Sequence, residues 1–198
     1  MKKEILCLAI AATTLVACTS KKSKESQSIS NDKLSQSQVD SAKSVSTSIT
    51  TKEKSSPLSE IVSQYLQIKN GLANDNGNDA ATAGNSFVKS IDKVDKTSFT
   101  PDQKKKWDDI YPDAKEMAEH ISKNANKLEH QREHFEMLSQ DMYDLVKTFG
   151  VGQVLYKDYD STYNKGKGAF WLSETKEIKN PYKGKAMSDS GSIKEEIK

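Results

Sequence analysis

Between Asp113 and Phe149 the chain repeats itself in alternating steps of three and four. Ala114, Met117, Ile121, Asn124, Leu128, Gln131, Phe135, Leu138, Met142, Leu145 and Phe149 fall on one line of an α-helix. This is the narrow apolar seam of an amphipathic helix, with two amides, Asn124 and Gln131, standing in it. No Gly or Pro interrupts the run. Pro112 stands at its start, where a missing N–H does no harm, and Gly150 follows its last apolar residue as a stop. The spacing predicts one helix of roughly 55 Å. Such a helix cannot bury its seam alone, so the rest of the folded chain has to pack against it.

Three shorter helices are expected upstream. Pro57 to Ala73 carries Leu58, Ile61, Val62, Tyr65, Leu66, Ile68 and Leu72 at mostly helical spacing, with Ser56 or Ser59 as cap. After the turn Asn74-Asp75-Asn76-Gly77, a second helix starts at Asn78 or Asp79 and runs to about Lys96. Thr100-Pro101-Asp102-Gln103 combines a cap, a proline at the first position and a capping-box Gln. The third helix then carries Trp107, Ile110 and Tyr111 and is expected to end or bend at Pro112. Short turns between helices favour antiparallel neighbours. The fold class is therefore all-α: a four-helix-bundle-like domain with one long helix and an ordered irregular C-terminal tail. In that tail Val151–Leu155 is short and β-prone, Phe170, Trp171 and Tyr182 are plugs on the bundle, and the charged end from Gly191 is expected to fray.

The N-terminus reads as an address. Lys2 and Lys3 precede an apolar run, Ile5–Val16, too short to span a membrane as an ordinary helix. It ends in Leu15-Val16-Ala17-Cys18, which resembles the lipobox of bacterial lipoproteins. That resemblance implies cleavage before Cys18 and acylation of Cys18, leaving the protein lipid-anchored in the cell envelope of a bacterium, its partner the bilayer itself. Thr19–Ser56 is about one-third Ser with almost no large apolar residue, a disordered tether reaching roughly 35 Å as a coil of about 38 residues. The expected organisation is a leader over 1–17, a lipidated Cys and tether over 18–56, and a helical domain over 57–198.

Lys and Arg number 30 against 28 for Asp and Glu, so no basic field suits nucleic acid. Both cysteines lie at the far N-terminus, which leaves the folded part without disulfide or thiolate ligand. All three histidines fall in the long stretch: His120, His130 and His134. His130 and His134 stand four apart, so both rings face one way and could share a metal. Met137 and Asp141 continue the line. A His/His/Met set suits copper and a His/His/Asp set zinc, while the same spacing also suits a solvated flank beside the seam. In a continuous helix His120 would lie about 15 Å from His130, and only a break near Asn124–Asn126 would fold it back. His130-Gln131-Arg132-Glu133-His134 also matches the H-x-x-E-H pattern of one class of zinc peptidases. That chemistry needs a third ligand, a cleft and a larger scaffold, so a non-catalytic role is expected.

Three stretches carry a further likeness: YLQIKNGLANDN (65–76), QREHFEMLSQDMYDL (131–145) and GKGAFWLSETKEIKNPYKGKAM (166–187). They resemble a family of uncharacterised helical domains of the bacterial envelope, found as lipoproteins and fused to the C-terminus of periplasmic adaptor subunits of copper and silver efflux pumps. The likeness covers residues 58–197 and is most specific in the tail. It implies soft-metal binding, copper above all, through His, Cys and Met residues, and a metal-efflux or other envelope protein as partner. Where such domains carry Cys-Pro-Met this chain reads Asp160-Ser161-Thr162, and where they carry Leu-Thr-Cys-Gly it reads Ser188-Asp189-Ser190-Gly191. Met187 and the helix histidines remain. The expected metal ligands are thus His120, His130, His134 and Met187, with copper or zinc as the ion. The alternative is a non-catalytic interaction or scaffold lipoprotein whose metal site has been lost.

Overall fold

The computed structural model describes residues 56–198. The expected leader and Cys18 lie outside the described residues, as does the tether apart from Ser56. Four helices form: α1 (Ser59–Ala73), α2 (Gly77–Ile91), α3 (Pro101–Lys123) and α4 (Leu128–Phe149). Each packs on the next, and α4 returns to α1 to close a bundle. No described helix is long and apolar enough to cross a membrane.

The expected start signals act, with one displacement. The Thr100 hydroxyl accepts from the Gln103 N–H and the Gln103 side chain accepts from the Thr100 N–H, a complete capping box. The second helix is capped by Asn76, whose side chain accepts from the Asp79 N–H at 3.1 Å; it therefore begins at Gly77 and ends at Ile91, short of Lys96. The apolar seams meet inside, with Tyr65, Phe87, Trp107, Ile121, Phe135, Leu138 and Met142 all buried.

Two expectations about the long stretch are corrected. The third helix, expected to end or bend at Pro112, does not end there but runs through it to Lys123. Pro112 is exposed, so the carbonyl one turn back that loses its helical partner opens to water. The single helix over 113–149 is instead the end of α3 and the whole of α4, reversed by the turn Asn124–Lys127. Asn124 leaves helical geometry at φ −125°, ψ 44°, and its side-chain amide donates to the His120 carbonyl at 2.8 Å. A short amide that satisfies a terminal carbonyl in this way favours a helix end over a helix interior.

The tail is also more regular than expected. It holds a three-stranded antiparallel sheet of β1 (Leu155–Asp160), β2 (Ala169–Ser173) and β3 (Ser192–Ile197), in the order β2-β1-β3. The charged end after Gly191 pairs with β1 across a register irregularity at Lys157/Asp158, in place of fraying. β2 lies on α4 and α1. Trp171 and Tyr182 are buried plugs and Phe170 is half-buried. The Tyr65 hydroxyl joins three elements: it hydrogen-bonds Ser139 Oγ of α4 at 2.8 Å and accepts from the Leu172 N–H of β2 at 3.0 Å.

Two charged groups fasten tail to bundle from inside. Arg132, buried on α4, donates from Nε to the Pro181 carbonyl (2.8 Å) and from Nη2 to the Leu72 carbonyl (3.1 Å) and Asp75 Oδ1 (2.6 Å). Asp75 also accepts from the Lys185 N–H, and these donors hold its carboxyl below the usual carboxylate range. On the other side, Lys69 of α1 is buried and donates to Glu174 at 2.6 Å. Beside them Asp158 of β1 is fully buried, and among the described residues neither of its oxygens accepts a well-formed hydrogen bond. Burial pushes its carboxyl up to about 7, with Lys69 opposing the rise and Glu174 adding to it.

Arg132→Leu takes the guanidinium from the buried Pro181 carbonyl and the Asp75 carboxylate and leaves the Leu72 carbonyl with the Asp75 N–H alone, so it should cost about 2–3 kcal/mol and lower Tm by several degrees in thermal circular dichroism. Asp158 sets a pH dependence. Its folded-state value lies above the ordinary 3.8, so the native state holds the proton longer than the unfolded chain. Stability should then fall as pH rises from about 4 to about 7 and level off above. Asp158→Asn should flatten that slope in urea titrations and stabilise the protein at pH 8 by on the order of 3 kcal/mol.

Candidate metal centre

The turn Asn124–Lys127 does for the histidines what a continuous helix cannot. α3 and α4 run antiparallel from it, so His120, four residues before the turn, comes back beside His130 and His134. The His120 and His134 rings stack at 4.2 Å between centroids, with 15° between planes. His130 meets His134 edge-on at 4.4 Å and His120 at 6.0 Å. One ring nitrogen from each of the three lies within 4.8 Å of the others. A metal held at about 2.0–2.1 Å by each nitrogen brings such atoms to roughly 3.3 Å of one another, a closure within reach of side-chain rotation.

Several contacts lock the turn. Gln131, fully buried in the seam, donates from Nε2 to the Ile121 carbonyl and to the Gly77 carbonyl, each at 3.0 Å. One side chain thereby ties the end of α3, the start of α2 and the first turn of α4. Gly77 makes room for this: a Cβ there would stand 2.1 Å from the Ala125 carbonyl oxygen.

The cluster is half-exposed and open to ions. The side chains of His120 and His130 are 44% and 38% exposed. Glu116 approaches His120 at 3.7 Å and Glu133 approaches His130 at 3.6 Å, orienting carboxylates one helical turn away. His134 lies deeper. Burial holds it below the ordinary histidine value, and the neighbouring His120 and His130 add to the shift, so it keeps a lone pair for a metal near neutral pH. Its Nδ1 lies 3.3 Å from the sulfur of Met117. The arrangement therefore offers three imidazole nitrogens and one thioether, from two helices.

The tail does not join this group. Met187 ends the single-turn 3-10 helix Gly184–Met187, half-exposed, in a segment that packs on α1 and is held by Asp75. Arg132 explains the separation. It stands two residues from both His130 and His134, so it points about 200° around the helix from His130, and the tail it grips lies on that far face. Asp160 is buried and occupied by Thr162, Asn180 and Ser190. The residue beside the histidines that sequence reasoning did not single out is Met117. Its seam position marked it as core, and its spacing of three from His120 was the available sign.

The matched segment contains the whole centre. Residues 61–154 match the family model described as a protein of unknown function (DUF3347). The DUF3347 match takes in Met117, the three histidines, Gln131 and the turn, and stops just before β1. No curated protein and no solved structure matches the chain.

Gly77→Ala forces backbone against backbone at Ala125. It should cost roughly 1–3 kcal/mol, read in a urea melt, and displace the turn that brings His120 to its partners.

Proposed function

We propose that the helical domain binds a metal ion of copper type at His120, His130 and His134, without catalysis, on a chain anchored to a bacterial envelope membrane through acylated Cys18. The observation that carries this reading is the convergence of all three histidines of the chain, from two helices, onto one spot within 4.8 Å. Chance rarely gathers every histidine of a protein at one accessible point, where repulsion between their charged forms works against it.

The donor set favours holding or handing on an ion over hydrolysis. Three nitrogens with a free fourth position would also suit a zinc-bound water. Here the Met117 sulfur lies 3.3 Å from His134 Nδ1, and a thioether beside the nitrogens favours a soft ion. The resembling envelope domains carry cysteines where this chain has Asp160 and Ser190. Those two side chains meet at 3.4 Å beside Asn180, next to the Pro181 carbonyl that Arg132 holds. They serve the tail on the far face of α4, so a histidine site does not depend on them. The lipid anchor rests on the lipobox pattern at Leu15–Cys18, and the spacing of anchor and domain on the Ser-rich tether.

Titration of the full chain in detergent with Cu(I), Cu(II) and Zn(II) tests the reading. One ion per chain should bind. His120→Ala and His134→Ala should each weaken binding by at least the 10–100-fold that even a supporting residue typically costs. Silence of the native chain toward all three ions would overturn it and leave an interaction protein.

A further inference from the structure

The histidines are one end of a longer line of metal-ligating side chains. On α3, Asp113, Met117 and His120 follow one another at steps of four and three; on α4, His130, His134, Met137 and Asp141 do so at four, three and four. These spacings place each set on one helix face. Because the helices are antiparallel, the two faces line a single groove, with histidines at the turn, methionines next and carboxylates last. The contacts agree. Met117 reaches His134 at 3.3 Å, and Met117 and Met137 line one surface cavity together with Asp113, Gln140 and Asp141. The line from His120 to Asp113 is about 10 Å long.

Met137 is not a core residue. It is 44% exposed, one of four large apolar side chains so exposed among the described residues, and it faces the groove, not the core. Met117 belongs to both groups: it touches His134 and lines the outer cavity. Sulfur at these two places changes which ion the groove suits. Thioethers favour Cu(I) and comparable soft ions, whereas zinc is well served by nitrogen and oxygen.

We propose that Met117 and Met137 make this groove a thioether relay that passes a monovalent soft cation, Cu(I) or Ag(I), between the carboxylate end, with Asp113 exposed and Asp141 half-buried, and the histidine trio. The inference rests on the histidine reading above and names its ion and its route. Each step exchanges one metal–sulfur or metal–nitrogen bond for another. The ion stays monovalent, no electron moves, and no proton is needed at sulfur. Asp113 and Asp141 supply negative charge where the ion enters or leaves, and Met117 is the ligand common to both stations.

The test uses the full chain in detergent. Cu(I) and Ag(I) affinity is measured by competition with a chromophoric Cu(I) chelator, transfer to that chelator by stopped flow, and Zn(II) affinity with a fluorescent zinc chelator. Met117→Leu should weaken Cu(I) and Ag(I) by about tenfold while Zn(II) moves far less. Met137→Leu, at an exposed position where leucine keeps the bulk, should slow Cu(I) transfer by about tenfold, a loss comparable to that of one supporting group. X-ray absorption of the Cu(I) form should show a sulfur neighbour that Met117→Leu removes. If both leucine variants bind and release Cu(I) like the native chain while His120→Ala abolishes binding, the relay is wrong and the histidine site stands. If the native chain binds neither Cu(I) nor Zn(II), the histidine reading fails and the relay with it.

Discussion

One buried side chain joins the carbonyls of Gly77 and Ile121, and through them the start of one helix to the end of another. Gln131 Nε2 reaches each at 3.0 Å. Ile121 is near the end of α3, where helical carbonyls run out of partners, and Gly77 begins α2. Without the amide, the Ile121 carbonyl would keep only the Asn124 N–H at 3.3 Å, and the tie between α2 and α3 would be gone. With it, the turn Asn124–Lys127 is pinned to α2 and the helices α3 and α4 are committed to lie side by side. The Gln131 carbonyl oxygen remains without a partner among the described residues, so the position is held for its donors.

The neighbouring residue extends the same logic outward. Arg132 points away from the histidines and takes the Leu72 and Pro181 carbonyls and the Asp75 carboxylate. Within one turn of α4, then, His130 and His134 face the groove, Gln131 faces the turn and Arg132 faces the tail. A short run of polar residues that would pass for a solvated surface directs three different packings. Its precision comes from helical geometry, which sends successive side chains about 100° apart.

Much of this was legible in the sequence and some was not, for definable reasons. The seam of Ala114, Met117, Ile121, Leu128, Phe135 and Leu138 was plain, and most of it is buried. The reversal within it was not, because the turn is four residues long and keeps the three-four rhythm in phase. A periodicity argument measures which side faces the core and is blind to a change of direction that preserves the side. The two amides flagged in the seam were the only local sign, and both act at the turn. The strands of the tail were hidden for another reason. The inward positions of β1 include Asp158 and Asp160, both buried, so hydrophobic alternation is absent where the sheet is most enclosed. β3 is mostly charged and is recognisable only through its pairing to β1. Arg132 was unreadable because burial of a guanidinium depends on carbonyls brought from 60 and 49 residues away in the chain.

The division of α4 into faces also bears on how such a domain changes over time. A tail held by Arg132, Asp75, Asp160 and Asn180 can exchange one fastening for another without disturbing the groove, since no described hydrogen bond of that clasp involves a histidine. The reverse does not hold for the turn. Any change that loosens Gln131 or crowds Gly77 acts at once on the direction of α3, and His120 is carried on its last turn. The placement of His120 and fold stability are therefore coupled at Gln131 and uncoupled at the tail. A domain built this way can vary its tail fastenings freely, while on the two facing lines of α3 and α4 a thioether in place of another donor changes the class of metal those lines would suit.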